Sequence, residues 1–261
     1  MLSGEVTAGP LLAAESAVLA YDSGEPAVSE LSLTLGSGEF VVLLGPNGGG
    51  KTTLFRALVG ELKPVSGSFD VRAEVAYLPQ HDGSRLDFPV SALDVVLMGT
   101  LRERGIFRRA GRSERLRAAE ALEQVDLADV ADRTYGELSG GQRRRILLAR
   151  TIVGSAPILA LDEPLAGVDP RSAEIIRAAL DSLRDAGHLV IEASHDIEYA
   201  RSADRVVCLN GRVVAEGPPS QVLTDAALRE TYAADLAVIT DAEGHALLAT
   251  TDTCGHDHSH D

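Results

Sequence analysis

Short apolar runs bounded by turn residues alternate along the chain with longer segments whose apolar residues recur every three or four positions. The runs are rich in Val, Leu and Ile and lack polar alternation, which is typical of strands buried on both faces of a parallel sheet. Strands are predicted on this basis at 40–48, 158–164, 188–194 and 205–210. Helices are predicted from the longer period at 52–62, 113–125, 141–153 and 172–187. Strands therefore alternate with helices, as in an α/β fold.

The order of these elements predicts how the fold is divided. Only helical patterns occur between about 91 and 152, so a helical lobe is expected to interrupt the parallel core. Antiparallel strands are expected near the start, at roughly 15–40. The folded domain is expected to span 15–235, with its helical lobe at about 90–152. Periodicity is lost in 241–261, which is expected to form a flexible polar tail.

The amino-acid composition limits the kinds of partner that the chain is expected to bind. The chain carries 39 Asp and Glu against 24 Lys and Arg, a formal net charge of −15, which disfavours long-range attraction to nucleic acid. No apolar stretch approaches the roughly 20 residues that a membrane-spanning helix needs, and the start of the chain lacks the pattern of a secretory leader. The two cysteines, Cys208 and Cys254, are far apart and fit a reducing compartment. Any membrane role is therefore expected to come through a partner protein.

A glycine-rich segment at 45–52, GPNGGGKT, lies between an apolar strand and a predicted helix. It matches the G-x-x-x-x-G-K-[ST] phosphate loop, in which glycines let backbone N–H groups surround phosphate oxygens. Lys51 is expected to reach the β- and γ-phosphates of a nucleotide, and Thr52 to offer its hydroxyl to Mg²⁺. The positions predicted to contact nucleotide are Gly45, Pro46, Asn47, Gly48, Gly49, Gly50, Lys51, Thr52 and Thr53. The alternative is a glycine-rich turn without a ligand.

Two adjacent carboxylates, Asp162 and Glu163, end the apolar run ILALDEP at 158–164. The carboxyl ends of strands are where α/β sheets bind ligands. Because side chains alternate along a strand, the two carboxylates cannot point the same way, which favours distinct roles. We expect Asp162 to belong to the Mg²⁺ shell and Glu163 to polarise an attacking water. The alternative is an acidic cap on the next helix.

A second glycine-containing segment, LSGGQ at 138–142, opens another predicted helix and resembles the signature of the ABC ATPase family. Two glycines at a helix start lower helix propensity, so we interpret them as the mark of a ligand that approaches the backbone. The resemblance implies a P-loop NTPase with a RecA-like parallel-sheet core, an antiparallel β subdomain and an inserted helical subdomain. It also implies a head-to-tail homodimer formed with ATP. In that dimer, nucleotide held by one copy is contacted by the signature residues of the other, Ser139, Gly140, Gly141 and Gln142.

Four further positions follow the order of the same family. By resemblance, Gln80 contacts Mg²⁺ or water and senses the membrane partner, while Asp169 links the two nucleotide sites of the dimer. His195 is expected to touch the γ-phosphate and Tyr21 to stack on adenine, although an ordinary strand-end histidine and a core tyrosine are the alternatives. The predicted catalytic residues are Glu163, His195, Gln80 and Lys51. The predicted Mg²⁺ ligands are Thr52, Gln80 and Asp162.

Two segments bear on the transported cargo. The sequences at 86–99 and 163–170 resemble those of manganese and zinc importer ATPases. The resemblance implies an ATPase subunit at the cytoplasmic face of the cell membrane. It would drive Zn²⁺ or Mn²⁺ import through a separate permease supplied by an extracytoplasmic metal-binding protein. Siderophore, haem or other cargo, export, a soluble non-transport ABC ATPase, and a regulatory protein that binds nucleotide without turnover remain alternatives.

The end of the chain reads CGHDHSHD and contains a candidate metal site. In an extended chain His256, His258 and His260 lie on one side, with Cys254 nearby. Imidazole and thiolate are ligands that Zn²⁺ prefers. The segment is therefore either a Zn²⁺ site or a solvated histidine-rich end.

Overall fold

A computed structural model describes residues 9–21, 24–80, 89–105 and 108–232, together with two short strands at 236–240 and 246–250. The strands in this part of the chain are β1 (Leu12–Ala20), β2 (Pro26–Leu35), β3 (Phe40–Leu44), β4 (Ser66–Val71), β5 (Val75–Leu78), β6 (Ile158–Asp162), β7 (Leu189–Ser194), β8 (Arg205–Leu209), β9 (Val213–Gly217), β10 (Leu236–Thr240) and β11 (Ala246–Thr250). The α-helices are α1 (Lys51–Leu58), α2 (Ala92–Met98), α3 (Leu101–Arg104), α4 (Arg112–Gln124), α5 (Gly140–Ile152), α6 (Pro170–Asp185), α7 (Ile197–Ala200), α8 (Pro219–Val222) and α9 (Asp225–Tyr232).

The central sheet has the strand order β5-β6-β7-β3-β8-β9. The pairs from β5 through β8 are parallel, and β9 joins β8 in the antiparallel sense. The four strands predicted from apolar runs are confirmed as β3, β6, β7 and β8. The four predicted helices are confirmed as α1, α4, α5 and α6. The α/β fold class is therefore correct.

The central sheet is buried on both faces, which explains its continuous apolar runs. In β3, Phe40, Val42 and Leu44 pack into one hydrophobic core, whereas Val41 and Leu43 pack into a second. Helices α2, α4, α5 and α6 cover the first core, while α1 and strands β1 and β2 cover the second. Because the side chains of a strand alternate, each face requires its own apolar set, and polar positions are displaced to the strand ends.

The predicted helical lobe is present. Between 91 and 152, the described residues form helices and turns, with one isolated backbone bridge between Ser91 and Thr134. Ser91 caps α2 by accepting a hydrogen bond from the backbone N–H of Asp94. No helix in the described part of the chain is both long and apolar enough to cross a bilayer.

The antiparallel layer includes a strand outside the region in which such strands were predicted, β4. Strand β1 pairs with β2, within the expected region, and also with β4 on its other side. The sequence of β4 is SGSFDV, in which only Phe69 and Val71 are apolar, too few for an alternating pattern to predict a strand. Its extended conformation comes from pairing with β1, and this tertiary effect is not visible in a local pattern.

A two-stranded hairpin, β10 with β11, reaches into the segment that was expected to be an unstructured tail. In the sequence, LAVIT and ALLAT flank the polar residues DAEGH, so two short apolar runs lie close together along the chain. The extended polar stretch predicted to begin at 241 therefore contains a strand at 246–250. The candidate metal ligands of this tail, Cys254, His256, His258 and His260, lie outside the described residues.

Strand β7 carries a carboxylate inside the fold. Glu192 is 1% exposed, and its carboxylate accepts a hydrogen bond of 3.1 Å from the hydroxyl of Tyr199. Burial raises the pKa of Glu192 from an ordinary value of 4.5 to about 8. Between these two values the folded chain holds a proton that the unfolded chain has released, so stability falls as the pH rises through this window.

Glu192→Gln is expected to remove this pH dependence, because an amide has the same shape and does not ionise. At pH 8 the variant should exceed the wild type in free energy of unfolding by at least about 1 kcal/mol, whereas near pH 4, below both pKa values, the two should agree. Denaturant unfolding at both pH values measures the difference. The control Glu198→Gln changes an exposed carboxylate on α7 and should behave like the wild type at both. An unchanged pH dependence in Glu192→Gln would show that this carboxylate is not the source.

Candidate functional site

The predicted phosphate loop connects β3 to α1 by a path that only glycine follows easily. Gly48 and Gly50 have φ values of 80° and 100°, in the left-handed region. A Cβ on Gly45 would lie 2.0 Å from the carbonyl oxygen of Leu209, so the loop also packs directly against β8. The sequence therefore needs its glycines for backbone conformation and for close approach.

The side-chain nitrogen of Lys51 lies inside this loop. It is 6% exposed, and its Nζ donates to the carbonyl oxygens of Gly45 at 2.5 Å and Pro46 at 3.1 Å. The loop is closed by a hydrogen bond of 3.0 Å from Gly49 N to Pro46 O. The ammonium group thus lies inside the loop, whose backbone leads into the N-terminus of α1. A positive charge beside a helix N-terminus is a favourable place for an anion to bind.

The carboxylate of Asp162 lies across from α1. Its Oδ2 accepts hydrogen bonds from the hydroxyl of Thr52 at 3.2 Å and from that of Tyr77 at 3.3 Å. The residue is 3% exposed, and burial raises its pKa while these two hydrogen bonds oppose the rise. Thr52 and Asp162 were predicted together, whereas Tyr77, which precedes Gln80 in the run AYLPQ, was not predicted.

Glu163 lies at the centre of a second group. Its Oε1 is 2.5 Å from His195 Nε2, and its Oε2 accepts a hydrogen bond of 2.8 Å from the side-chain amide of Gln80. The hydrogen bond from His195 is the largest of the effects that lower the pKa of Glu163. The structure thus brings together the three residues Gln80, Glu163 and His195, which come from three different strand ends. It directs the amide nitrogen of Gln80 to Glu163.

Glu163 also has an unusual backbone. Its φ is 50°, and residues other than glycine rarely occupy this region. Such strain persists where surrounding contacts determine the conformation, and it clusters at functional sites. The turn also breaks the strand alternation after Asp162, so the two adjacent carboxylates reach separate hydrogen-bond groups.

Tyr21 lies at the end of β1 beside the first turn of α1. Its hydroxyl is 3.2 Å from Thr53 Oγ1, and the guanidinium of Arg56 lies 5.7 Å from its ring centroid. The side chain is 39% exposed, which removes the alternative of a core tyrosine. An aromatic face is therefore available next to the phosphate loop.

The signature segment has internal structural roles that the sequence interpretation did not include. Ser139 and Gln142 form a reciprocal cap on α5, with hydrogen bonds of 3.2 and 3.0 Å. A Cβ on Gly141 would lie 2.5 Å from Asp169 Oδ2, so this glycine permits packing against the start of α6. Gly141 thus has a packing reason to be glycine in addition to the ligand contact predicted for it. Gly140 has no atom within 4 Å of its would-be Cβ, and it is exposed together with Ser139.

Asp169 caps α6 by accepting hydrogen bonds from the backbone N–H of Ser172 at 3.0 Å and from its hydroxyl at 2.7 Å. These hydrogen bonds lower the pKa of Asp169. The carboxylate therefore caps α6, and it also packs against Gly141 of α5 in the same chain.

Sequence reasoning missed Arg144, a buried arginine of α5 that contacts both catalytic loops. Its guanidinium donates to the backbone carbonyls of Pro79, Gln80, Asp162, Glu163 and Pro164. A signal was present, because successive residues of a helix point in different directions. The run Arg143-Arg144-Arg145 at an amphipathic helix therefore cannot lie wholly on the solvent face.

No group of three or more His, Cys, Asp or Glu in the described residues is arranged to hold a metal ion. The tail residues Cys254, His256, His258 and His260 are not among them.

Comparison with known proteins agrees with this geometry. Residues 28–166 match the family described as ABC transporter. The zinc transport system ATP-binding protein TroB of Treponema pallidum is 37% identical over 223 residues, which are 82% of this chain and 84% of TroB. The manganese transport system ATP-binding protein MntB of Listeria monocytogenes is 36% identical over 215 residues, which are 79% of this chain and 90% of MntB.

A solved inward-facing structure described as a metal-chelate type ABC transporter superposes with a TM-score of 0.80 and 26% identity, covering 93% of this chain and 99% of the other. The similarity thus extends to both the sequence and the fold. The chain therefore belongs to the ABC transporter family, as an ATP-binding subunit that hydrolyses ATP and acts in a dimeric ATPase with a membrane permease.

Proposed function

We propose that two copies of this chain enclose MgATP between them and that hydrolysis drives Zn²⁺ or Mn²⁺ import through a separate permease. The observation that carries the proposal is the convergence of Lys51, the pair Thr52 and Asp162, and the group around Glu163 at one edge of the sheet. Carboxyl ends of parallel strands are where such ligands bind. We assign the ABC ATPase domain to 15–235 and its helical subdomain to about 90–152.

The residues present fit a magnesium ion. Mg²⁺ prefers oxygen ligands and is usually held by one or two protein groups together with substrate phosphates. Thr52 Oγ1 and Asp162 Oδ2 are 3.2 Å apart and supply a hydroxyl and a carboxylate oxygen. When bound there, the ion neutralises charge that develops on the phosphates. Gln80 is proposed as a third, more distant contributor.

Each side chain has a proposed part in hydrolysis. Lys51 and the N–H groups of the loop 45–53 hold the phosphates. Glu163 accepts the proton of the attacking water, which its lowered pKa permits because the carboxylate stays ionised near neutral pH. His195 and Gln80 fix the two oxygens of Glu163, and His195 also contacts the γ-phosphate.

The remaining nucleotide contacts are proposed to come from both copies. Tyr21 of the same copy stacks its exposed ring on adenine. Ser139, Gly140 and the N-terminus of α5 of the second copy approach the γ-phosphate, as their exposure permits. Gly141 and Gln142 shape that helix start, and Asp169 beside them lies at the contact between the copies.

The cargo proposal is supported by the relatives, which are named for zinc and manganese transport. We propose that the subunit is peripheral at the cytoplasmic face of the membrane and works with an extracytoplasmic metal-binding protein. The alternatives are siderophore or haem cargo, export, and a role outside transport. The test below distinguishes them from the proposed function.

The test is transport by the complete system. The chain is purified with its permease, reconstituted in vesicles with ATP on the ATPase side, and assayed with Zn²⁺, Mn²⁺ and ferric chelates. We expect ATP-dependent movement of Zn²⁺ or Mn²⁺ that is lost in a Glu163→Gln complex. Movement of ferric chelates alone would contradict the cargo, and movement that persists in Glu163→Gln would contradict the role of this carboxylate.

We also propose that Cys254, His256, His258 and His260 bind Zn²⁺, since their side chains include the ligands that zinc prefers. Equilibrium dialysis of Zn²⁺ against the full chain and against a chain ending at residue 253 tests this. Equal binding by both would contradict it.

A further inference from the structure

Arg144 occupies an unusual position on α5. It lies five residues after Ser139, the cap of the same helix, yet it is only 7% exposed. All three nitrogens of its guanidinium donate to backbone carbonyls. Nε donates to Pro164 O at 3.1 Å, Nη1 to Pro79 O at 2.9 Å and Gln80 O at 3.3 Å, and Nη2 to Asp162 O at 2.9 Å and Glu163 O at 2.8 Å.

The five carbonyls belong to two loops that are far apart in sequence. One loop follows β5 and carries Gln80, and the other follows β6 and carries Asp162 and Glu163. A guanidinium is planar and rigid, with five N–H groups in a fixed geometry. Bonds from one such plane to both loops fix their relative position, and with it the distance of 2.8 Å between the Gln80 amide and the Glu163 carboxylate.

The same bonds hold the strained part of the second loop. Glu163 has a φ of 50°, and both its own carbonyl and that of Asp162 accept from Nη2 of Arg144. A strained conformation persists only when its surroundings determine it. Arg144 is one of the groups that do so, and it acts on the backbone without touching a reacting atom.

We propose that Arg144 is a positioning residue for ATP hydrolysis, which orients Glu163 and Gln80 and connects them to the signature helix of the same subunit. The inference rests on the catalytic roles proposed above. It predicts that loss of the guanidinium slows turnover and leaves nucleotide binding almost unchanged, because Lys51 and the phosphate loop make their contacts elsewhere.

The chain offers a matched control in the next residue. Arg145 is also buried, at 8% exposure, and also donates to backbone carbonyls, those of Val125 at 2.8 Å and Asp126 at 3.2 Å. These two residues follow α4 in the helical lobe, and neither has a proposed catalytic role. Replacing Arg145 therefore tests the loss of a buried arginine from α5 as such.

The experiment compares full-length Arg144→Met, Arg144→Lys and Arg145→Met in steady-state ATPase assays below their melting temperatures. For Arg144→Met we expect kcat to fall by about 10²-fold, since small misplacements of a catalytic group have effects of this size, and KM for ATP to change by less than about threefold. Arg144→Lys keeps a buried cation with fewer donors, so its kcat should be intermediate. Arg145→Met should melt at a lower temperature and keep kcat within about threefold of the wild type.

A second measurement separates positioning from damage to the signature helix. The double variant Glu163→Gln, Arg144→Met should still dimerise with ATP as Glu163→Gln does. Loss of that dimer would overturn the proposal, as would a kcat for Arg144→Met, or for Arg144→Lys if the methionine variant does not fold, within about twofold of the wild type. If the proposed ATPase function itself were wrong, the results would differ from these. The wild type would then lack turnover, or Glu163→Gln would keep it.

Discussion

Replacing Glu163 with glutamine is expected to abolish ATP turnover while ATP binding is retained. An amide has nearly the shape of the carboxylate and keeps contact with the amide of Gln80 and the ring of His195, yet it cannot accept the proton of the attacking water. Loss of a positioned general base costs about 10²- to 10⁴-fold in rate. Phosphate release measures kcat, and size-exclusion chromatography with MgATP shows whether nucleotide-bound dimers accumulate.

Glu198→Gln is the control for this experiment, since it changes an exposed glutamate on α7 that pairs with Arg201. Its turnover should match that of the wild type. If Glu163→Gln hydrolyses ATP at the wild-type rate, another group must act as the base. If the variant fails to bind ATP, the carboxylate has a role in the ground state that the structure does not indicate.

Gly140→Asp is expected to remove ATP-driven dimerisation without harming the fold. A Cβ at this position would meet no atom within 4 Å beyond its own helix backbone and chain neighbours, and an aspartate in the first turn of α5 is favourable to the helix dipole. In the dimer, however, the added charge would face the phosphates held by the partner copy. We expect kcat to fall by at least about 10²-fold, in line with the loss of electrostatic stabilisation at a charged transition state.

Thermal unfolding and ATP binding to the monomer establish that Gly140→Asp is intact. Ser113→Asp is the matched control, because it adds the same charge to the exposed first turn of α4. It should leave turnover unchanged. Wild-type turnover in Gly140→Asp would mean that the N-terminus of α5 does not approach nucleotide.

The sequence predicted the central sheet and most of the site for a common physical reason. Strands β3, β6 and β7 are buried on both faces, so their runs are mainly apolar and, apart from the buried Glu192 of β7, their polar residues lie at the carboxyl ends or just beyond them. Those ends carry the phosphate loop, Asp162 with Glu163, and His195. Because the strands are parallel neighbours, the residues that follow them meet in space.

What the sequence did not predict depends on contacts between distant segments. Strand β4 is extended because β1 is beside it, and Gly141 is small because Asp169 lies against it. The roles of Arg144 and Tyr77 depend on which loops contact α5 and Asp162. The local spacing of apolar residues in the sequence does not indicate such contacts. The exposure of Tyr21 was left open by the sequence for the same reason.

The central claim is that one nucleotide is held by two chains, and the structure of Glu163→Gln with MgATP tests it most directly. We expect a head-to-tail dimer in which Ser139 of one copy lies within hydrogen-bonding distance of the γ-phosphate that Lys51 of the other copy holds. A nucleotide enclosed by a single chain, with the partner's Ser139 remote from the phosphates, would contradict it.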